Sequence, residues 1–311
     1  MGKLEVGKIV ITGSNGFIGK NLVKHLEGHD IITCDYENAD VTPDELLEYL
    51  EGQIPALETI IHLGANSSTT ETDTKKLKSV NTDFTLSLYQ WCTRYNIALI
   101  YASSAATYGD GGHGYEDDES LPYLEKLQPL NAYGESKAQA DVTIFGNLDP
   151  RTSPPVTALK FFNVYGPHES HKGDMRSVAR KLYDGIKQEE PAHLFKSYDA
   201  EYEDGAQLRD FIYVTDCCEV IKYFLYTPLR GIFNVGSGKA RTFKAVAEAV
   251  FGALNLAPAI TYIDMPSEIQ AHYQYFTEAN MAKLRSTGYD KPFTSLEEGV
   301  KEYVKYLENR L

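Results

Sequence analysis

The fold turns on one stretch, Lys8-Ile9-Val10-Ile11-Thr12-Gly13-Ser14-Asn15-Gly16-Phe17-Ile18-Gly19. Its first five residues are mostly β-branched and read as a buried strand. From Phe17 onward, apolar residues at 17, 18, 22, 23 and 26 follow a helical period. Between strand and helix stand three glycines, spaced Gly-x-x-Gly-x-x-Gly. Glycine permits the tight turn, lets backbone approach a pyrophosphate, and lets helix pack on strand. The helix N-terminus then offers N–H groups and a partial positive charge to the anion. A plain glycine turn is the alternative, but strand before and helix after favour a dinucleotide loop. Its candidate cofactor contacts are Gly13, Asn15, Gly16, Phe17, Ile18 and Gly19.

Outward from this loop, short apolar runs alternate with helical patterns. Ile31–Cys34, Thr59–Leu63, Ala98–Ala102 and Val156–Phe162 read as strands, and 75–94 and 131–146 as helices. This alternation predicts an α/β fold, a Rossmann-type doubly wound parallel sheet covered on both faces. Asp35 ends the second strand about 20 residues after the loop, where a carboxylate accepts the adenosine ribose hydroxyls. Tyr36 joins it in the candidate cofactor set. Asp40 reads either as an adenine neighbour or as a solvated surface acid. Residues 36–40 contain no Lys or Arg, so a 2′-phosphate would meet only negative charge there. NAD is therefore favoured over NADP.

After about residue 165 the rhythm changes. Helices are expected near 175–189, 243–255, 278–287 and 295–309, one more strand over 231–236, and an acidic, irregular stretch at 197–206. The expected organisation is a cofactor-binding domain over 1–165 with 209–240, and a smaller α/β substrate lobe over 166–208 with 241–311.

Composition sets the outer limits. The 311 residues carry 30 Lys+Arg against 44 Asp+Glu, a formal charge of −14, and 42% are apolar. That is enough for a large core, and too acidic for a general nucleic-acid binder, which needs surplus cations. Cys34, Cys92, Cys217 and Cys218 form no Cys-x-x-Cys pair. No metal site is expected, and reduced thiols point to a cytoplasmic setting. No apolar run approaches the ~20 residues of a membrane helix. The first residues run straight into a strand and leave no room for a signal peptide.

Tyr133-Gly134-Glu135-Ser136-Lys137 places a phenol and an ammonium one helical turn apart. A phenol titrates near 10 and is a poor base at neutral pH, but an adjacent ammonium favours its ionised form. A second copy, Tyr183 and Lys187, lacks the context of the first. Tyr133 follows a strand that ends in Ala102-Ser103-Ser104-Ala105-Ala106-Thr107-Tyr108-Gly109. A serine there bonds a substrate hydroxyl and shares its proton with Tyr133.

Glycine loop, serine loop and Tyr-x-x-x-Lys, in this order, resemble the extended short-chain dehydrogenase/reductase superfamily of nucleotide-sugar enzymes. His62-Leu63-Gly64-Ala65, Asn81, Phe162-Asn163-Val164-Tyr165-Gly166-Pro167, Arg209-Asp210-Phe211-Ile212-Tyr213-Val214 and Asn234-Val235-Gly236 extend the likeness over essentially the whole chain. The resemblance implies Ser104, Tyr133 and Lys137 as the catalytic set. It adds Leu63, Gly64, Ala65, Asn81, Tyr133, Lys137 and Phe162 to the cofactor contacts.

A narrower set looks like the ADP-L-glycero-D-manno-heptose 6-epimerase family. It comprises Ser67-Ser68-Thr69-Thr70-Glu71, Ala102 through Gly109, His171-Lys172-Gly173, Tyr273-Gln274 before Phe276-Thr277, and Gly288-Tyr289-Asp290-Lys291-Pro292-Phe293. That resemblance implies inversion at C6 of an ADP-bound heptose used in lipopolysaccharide. The route is transient oxidation to a C6 aldehyde with a bound nicotinamide cofactor, rotation, and re-reduction on the other face. It implies Lys172 as a second acid/base opposite Tyr133, phosphate or surface binding being the alternative. The substrate set is Ser67, Ser68, Thr69, Ser104, Ala105, Asn163, His171, Lys172, Phe195, Arg209 and Tyr273. Arg209 takes the diphosphate and Phe195 the adenine. Arg176, Arg180 and Lys181 read as helpers or as a solvated face. His168 and His171 lack further ligands for a metal. Relatives of this kind are homo-oligomers.

Two features depart from the family. The segment after Asp35 is short and lacks a lysine, which fits NAD. The stretch Ser197–Gln207 is long and acidic, which leaves the base and sugar open. A C4 epimerase of a UDP- or GDP-hexose would use the same Ser, Tyr and Lys. A dehydratase needs an Asp-Glu pair where Ala105 and Ala106 stand. A non-catalytic NAD(H)-sensing protein would have no need to keep both Tyr133 and Lys137.

Overall fold

The computed structural model describes residues 7–35, 43–270 and 273–309. Two compact units divide the chain, residues 1–161 with 217–234, and 162–216 with 235–311. The first contains β1 (Lys8–Thr12), α1 (Phe17–His25), β2 (Ile31–Cys34), α2 (Pro43–Glu51), β3 (Leu57–His62), α3 (Thr74–Leu77), α4 (Phe84–Tyr95), β4 (Ala98–Ser104), α5 (Leu121–Leu124), α6 (Ala132–Asn147) and β5 (Val156–Phe161). The second opens with β6 (Asn163–Tyr165), α7 (Val178–Lys187), β7 (Ala192–Phe195) and β8 (Leu208–Tyr213). Most of α8 (Val214–Tyr226) and β9 (Gly231–Val235) belongs to the first unit. The second closes with β10 (Ala240–Thr242), α9 (Phe243–Ala253), β11 (Ile260–Ile263), α10 (Ser267–Gln270), α11 (Ala282–Ser286) and α12 (Leu296–Glu308).

The first unit holds a six-stranded sheet in the order β2-β1-β3-β4-β5-β9. Its pairings from β2 through β5 are parallel, as the strand–helix alternation predicts. Ile9, Val10, Ile11, Ile60, Ile61, Leu99, Ala158 and Leu159 are buried, consistent with strands covered on both faces. Removing each large side chain from water contributes roughly 1.5–3 kcal/mol. The strand order turns at β1, with β2 on one side and β3 on the other. Open α/β sheets bind ligands at such a switch, beyond the carboxyl ends of the strands. The glycine loop after β1 and the segment after β3 both lie there.

The second unit has a three-stranded sheet, β10-β8-β6, and a two-stranded one, β11-β7. The apolar faces of α7, α9 and α12 form its core through Leu182, Ile186, Val246, Val250, Val300 and Val304. Ser295 and Glu298 close a capping box at the start of α12, which satisfies its first amides.

The helix expected over 75–94 is one continuous run of α3, a π-helical segment Lys78–Asp83, and α4. Side-chain bonds accompany the widening: Thr82 donates to the Ser136 carbonyl at 2.8 Å and Thr85 to the Asn81 carbonyl at 2.7 Å. The helix expected over 278–287 is confined to Ala282–Ser286. The helix α8 follows β8 directly, and no Gly or Pro from Tyr213 to Tyr226 marks the boundary in the sequence. Among the described residues no helix is long and apolar enough to cross a membrane.

Candidate active site

The glycine loop is shaped by what stands against it. Gly13 has φ +71°, and a Cβ there would lie 2.5 Å from the Gly64 amide nitrogen. A Cβ on Gly19 would lie 2.0 Å from the Gly13 carbonyl oxygen. Gly16, the N-cap of α1, offers no side-chain cap, and the first turn has no acidic residue. The positive end of α1 is therefore not neutralised by its own sequence. Phe17 is buried and Ile18 half-buried behind the loop. The Asp35 carboxylate accepts from the Asn15 amide at 3.1 Å, from Asn15 Nδ2 at 2.9 Å, and from the Ser14 hydroxyl. It thus ties the end of β2 to the loop. A carboxylate has about four acceptor sites, so three donors leave room for another. Tyr36 and Asp40 lie outside the described residues.

Behind the loop sits His62, 1% exposed. Its Nδ1 is 2.6 Å from Thr12 Oγ1, and its Nε2 is 3.1 Å from Thr85 Oγ1. Because the Thr85 hydroxyl donates to the Asn81 carbonyl, it must accept from Nε2–H, and Nδ1 then accepts from Thr12. The chain continues to the Gly64 amide, which donates to Thr12 Oγ1 at 3.4 Å. Burial, reinforced by the charge of Lys137, pushes the His62 pKa down to about 3. The ring is a neutral spacer that fixes the loops after β1 and β3 against Asn81.

Asn81 is fully buried in the π-helical segment. Its Oδ1 accepts from the Asn66 amide at 2.8 Å, and its Nδ2 donates to the Asn66 carbonyl at 2.9 Å and to Ser136 Oγ at 3.0 Å. It brackets the segment after β3 onto α6. In that segment Gly64 is buried, Leu63 and Ala65 half-buried, and Ser67 and Thr69 exposed. Ser68 and Thr70 bond each other at 3.1 Å.

The structure brings Ser104, Tyr133 and Lys137 together. Ser104 ends β4, and Ala105 opens a 3₁₀ turn that Ser104 Oγ caps by accepting the Ala106 amide at 3.1 Å. Tyr133 lies in the first turn of α6, whose N-cap Asn131 accepts the Gly134 amide at 2.8 Å. Its hydroxyl lies close enough to the Ser104 side chain for that group to lower its pKa. Lys137, one turn on and 3% exposed, donates from Nζ to the Ala102 carbonyl at 2.8 Å. Burial pushes the Lys137 pKa down to about 8, opposed by the Asp141 carboxylate. The expected depression of the Tyr133 pKa is not found. Burial raises it, with the Ser104 side chain pulling down and Asp141 pushing up. Lys137, engaged by the Ala102 carbonyl, is not among the groups that shift it.

In the second unit, Arg209 on β8 is 8% exposed. Its guanidinium lies 5.6 Å from the Phe243 ring centroid and 5.3 Å from that of Tyr273. Phe195, at the end of β7, meets Tyr273 edge-on at 6.4 Å. Arg209, Phe195 and Tyr273 thus form one cationic, aromatic cluster. Asn163 is exposed, Phe162 buried, and His171 and Lys172 lie on a 3₁₀ segment after β6, His171 exposed and Lys172 half-buried. Burial lowers the Lys172 pKa, with Glu169 acting against it. Arg176 and Arg180 both pair with Asp184, at 2.6 and 2.8 Å, while Tyr183 bonds Glu308. The second Tyr/Lys pair is therefore engaged by an acid of α12.

Residues 9–236 match the family described as NAD dependent epimerase/dehydratase. The ADP-L-glycero-D-manno-heptose-6-epimerase of Nitratidesulfovibrio vulgaris (strain Hildenborough) is 43% identical over 321 residues, covering 95% of this chain and 96% of that one. The chain belongs to the NAD dependent epimerase/dehydratase family. The protein of the same name from Fusobacterium nucleatum is 41% identical over 324 residues, covering 96% and 97%. The crystal structure of ADP-L-glycero-D-manno-heptose-6-epimerase from Helicobacter pylori superposes with a TM-score of 0.78 at 24% identity, over 99% and 98% of the two chains. That likeness shows the fold.

One group in this family member escapes a search of the sequence for site motifs. Asp141, one turn beyond Lys137, and Lys160 of β5 pair at 2.8 Å, each side chain 1% exposed. The signal was a lysine interrupting the apolar strand Val156–Phe161. A lysine there requires a buried acid.

Proposed function

We propose that this chain is a C6 epimerase of a nucleotide-diphospho-heptose, with ADP-glycero-manno-heptose as substrate and a retained nicotinamide cofactor. The observation that carries the reading is Ser104 at the end of β4 beside Tyr133, with Lys137 one turn on along α6 and anchored to the Ala102 carbonyl, in a family whose relatives are named for this reaction.

The glycine cradle fits a dinucleotide. A Cβ at Gly13 or Gly19 would strike backbone, and α1 presents an uncapped positive end. Gly13, Asn15, Gly16 and Gly19 would hold the pyrophosphate, Asp35 the adenosine ribose, and Lys137 the nicotinamide ribose. When bound, the nicotinamide supplies the hydride acceptor and donor. Tyr133 takes the C6 hydroxyl proton, Ser104 orients that hydroxyl, and Lys137 supplies positive charge beside the developing phenolate. The carbonyl at C6 is a ketone rather than an aldehyde, because C6 bears C7 as well as C5. After rotation about C5–C6 the oxygen points away from Tyr133, so a second proton donor is needed. Lys172 is proposed for it, since a lysine of lowered pKa exchanges protons nearer neutrality. Arg209 would hold the substrate diphosphate, with Phe195 and Tyr273 against its base. Ser67, Ser68 and Thr69 would meet the sugar hydroxyls. We place the enzyme in the cytoplasm, a reading supported by four cysteines that form no disulfide, three of them buried; a homo-oligomeric state is proposed from the resemblance alone.

Incubation with ADP-D-glycero-D-manno-heptose tests the proposal, with NMR as the readout. Inversion at C6 is expected, whereas inertness there with turnover of a UDP-hexose would overturn it. Preference for NAD rests on the Asp35 carboxylate and the absence of Lys or Arg at 36–40. Stripped protein should therefore bind NAD more tightly than NADP by calorimetry, and the reverse order would refute this role for Asp35.

A further inference from the structure

The Asp141–Lys160 pair is more elaborate than a structural bridge requires. Both Asp141 oxygens are engaged. Oδ1 accepts from the Tyr101 hydroxyl at 2.8 Å, and Oδ2 from the Ser103 hydroxyl at 2.7 Å and from Lys160 Nζ at 2.8 Å. Lys160 Nζ also donates to Thr107 Oγ1 at 2.5 Å and lies 4.8 Å from the Tyr108 ring centroid. Thr107 in turn donates to the Ser104 carbonyl at 2.8 Å. The network therefore grips β4 on both sides of Ser104, through the Ser103 hydroxyl before it and the Ser104 carbonyl itself. Lys137 adds a third hook from α6 to Ala102.

We propose that Asp141 and Lys160 are positioning residues for the reaction, fixing the carboxyl end of β4 against α6 so that Ser104, Tyr133 and Lys137 keep their mutual geometry while the buried charge stays compensated. This rests on the active-site reading of those three residues. The groups facing the pair are Tyr101 and Ser103 from β4, Thr107 and Tyr108 from the turn after it, and Tyr133 and Lys137 from α6, with His62 of β3 facing Lys137. Asp141 acts on both active-site groups, favouring the protonated forms of Tyr133 and Lys137. Lys160, paired with Asp141 at 2.8 Å, opposes that influence without cancelling it.

Breaking the pair from either side should therefore move Tyr133 in opposite directions. Lys160→Met leaves Asp141 unmatched, so Tyr133 should ionise at higher pH. Asp141→Asn leaves Lys160 unmatched, so Tyr133 should ionise at lower pH. The readout is the ¹³Cζ resonance of labelled tyrosine that disappears in Tyr133→Phe, a measurement on the protein without substrate. Both single variants should lose roughly ten- to a hundredfold in kcat through misplacement, with little change in KM. The double variant Asp141→Asn/Lys160→Met is neutral throughout. It should titrate between the two single variants yet remain slow, because β4 has lost its hook. Lys160→Arg keeps the charge and should rescue most of the turnover. Shifts of the same sign in the two single variants would overturn the proposal. So would wild-type kcat in the double variant, which decides the matter even where a single variant does not fold. A wild-type protein inactive on every nucleotide sugar would count against the proposed function, while the opposite shifts would still test the pair.

Discussion

Replacing Tyr133 with Phe should lower kcat by about 10²–10⁴, the usual worth of a positioned acid/base. The substitution removes one oxygen and leaves the ring. It takes the phenol oxygen away from beside Ser104 but leaves the Asn131 cap and the Lys137–Ala102 bond of α6 in place. Folding and ligand binding should therefore persist, with KM nearly unchanged and the melting temperature within a few degrees. An interaction made only in the transition state lowers kcat and kcat/KM together. Initial rates at saturating substrate, paired with a thermal melt, check this. A kcat within threefold of the wild type would remove Tyr133 from the chemistry.

The second large effect concerns the cofactor loop. In Gly19→Ala the added Cβ lies 2.0 Å from the Gly13 carbonyl oxygen and 2.8 Å from Ser14 Cα. Both are backbone atoms, so no side chain can swing aside. Gly13 cannot retreat either, because its own Cβ position is 2.5 Å from the Gly64 amide. The loop must lift off α1, carrying with it Ser14 and Asn15, which bond Asp35. Overpacking of this kind costs roughly 1–3 kcal/mol, or about ten- to a hundredfold in affinity. Weaker NAD binding by calorimetry and a lower melting temperature are the expected results. Gly252→Ala in α9 is the control, since nothing lies within 4 Å of its Cβ position and its backbone is helical. Equal NAD affinity in Gly19→Ala and the wild type would mean that the loop does not hold the pyrophosphate.

Local chemistry explains which features were legible in the sequence. The strand–glycine–helix unit at Lys8–His25 announces itself because glycine spacing, apolar run and helical period all lie within one short segment. Tyr133 and Lys137 are readable for the same reason, since one helical turn brings them together whatever the rest of the chain does. The clustering of Phe195, Arg209 and Tyr273 came only through resemblance, because residues that far apart carry no local periodicity. The His62 chain and the Asp141–Lys160 pair were missed. A buried histidine between two threonines, or a lysine within an apolar strand, acquires meaning only when partners from other strands arrive. The π-helical widening around Asn81 was likewise hidden, since it depends on bonds from Asn81 and Thr82 to Ser136 on α6. The pKa of Tyr133 went the other way from expectation because spacing reports the ammonium but not the loss of hydration.

The central claim is oxidation and re-reduction at C6 within one binding event. It is tested most directly with ADP-D-glycero-D-manno-heptose carrying deuterium on C6, incubated in ordinary water and read by NMR. The account predicts a product inverted at C6 that still carries its deuterium, because the hydride leaves and returns without meeting solvent. Inversion with the label washed out, or retention of configuration at C6, would contradict it.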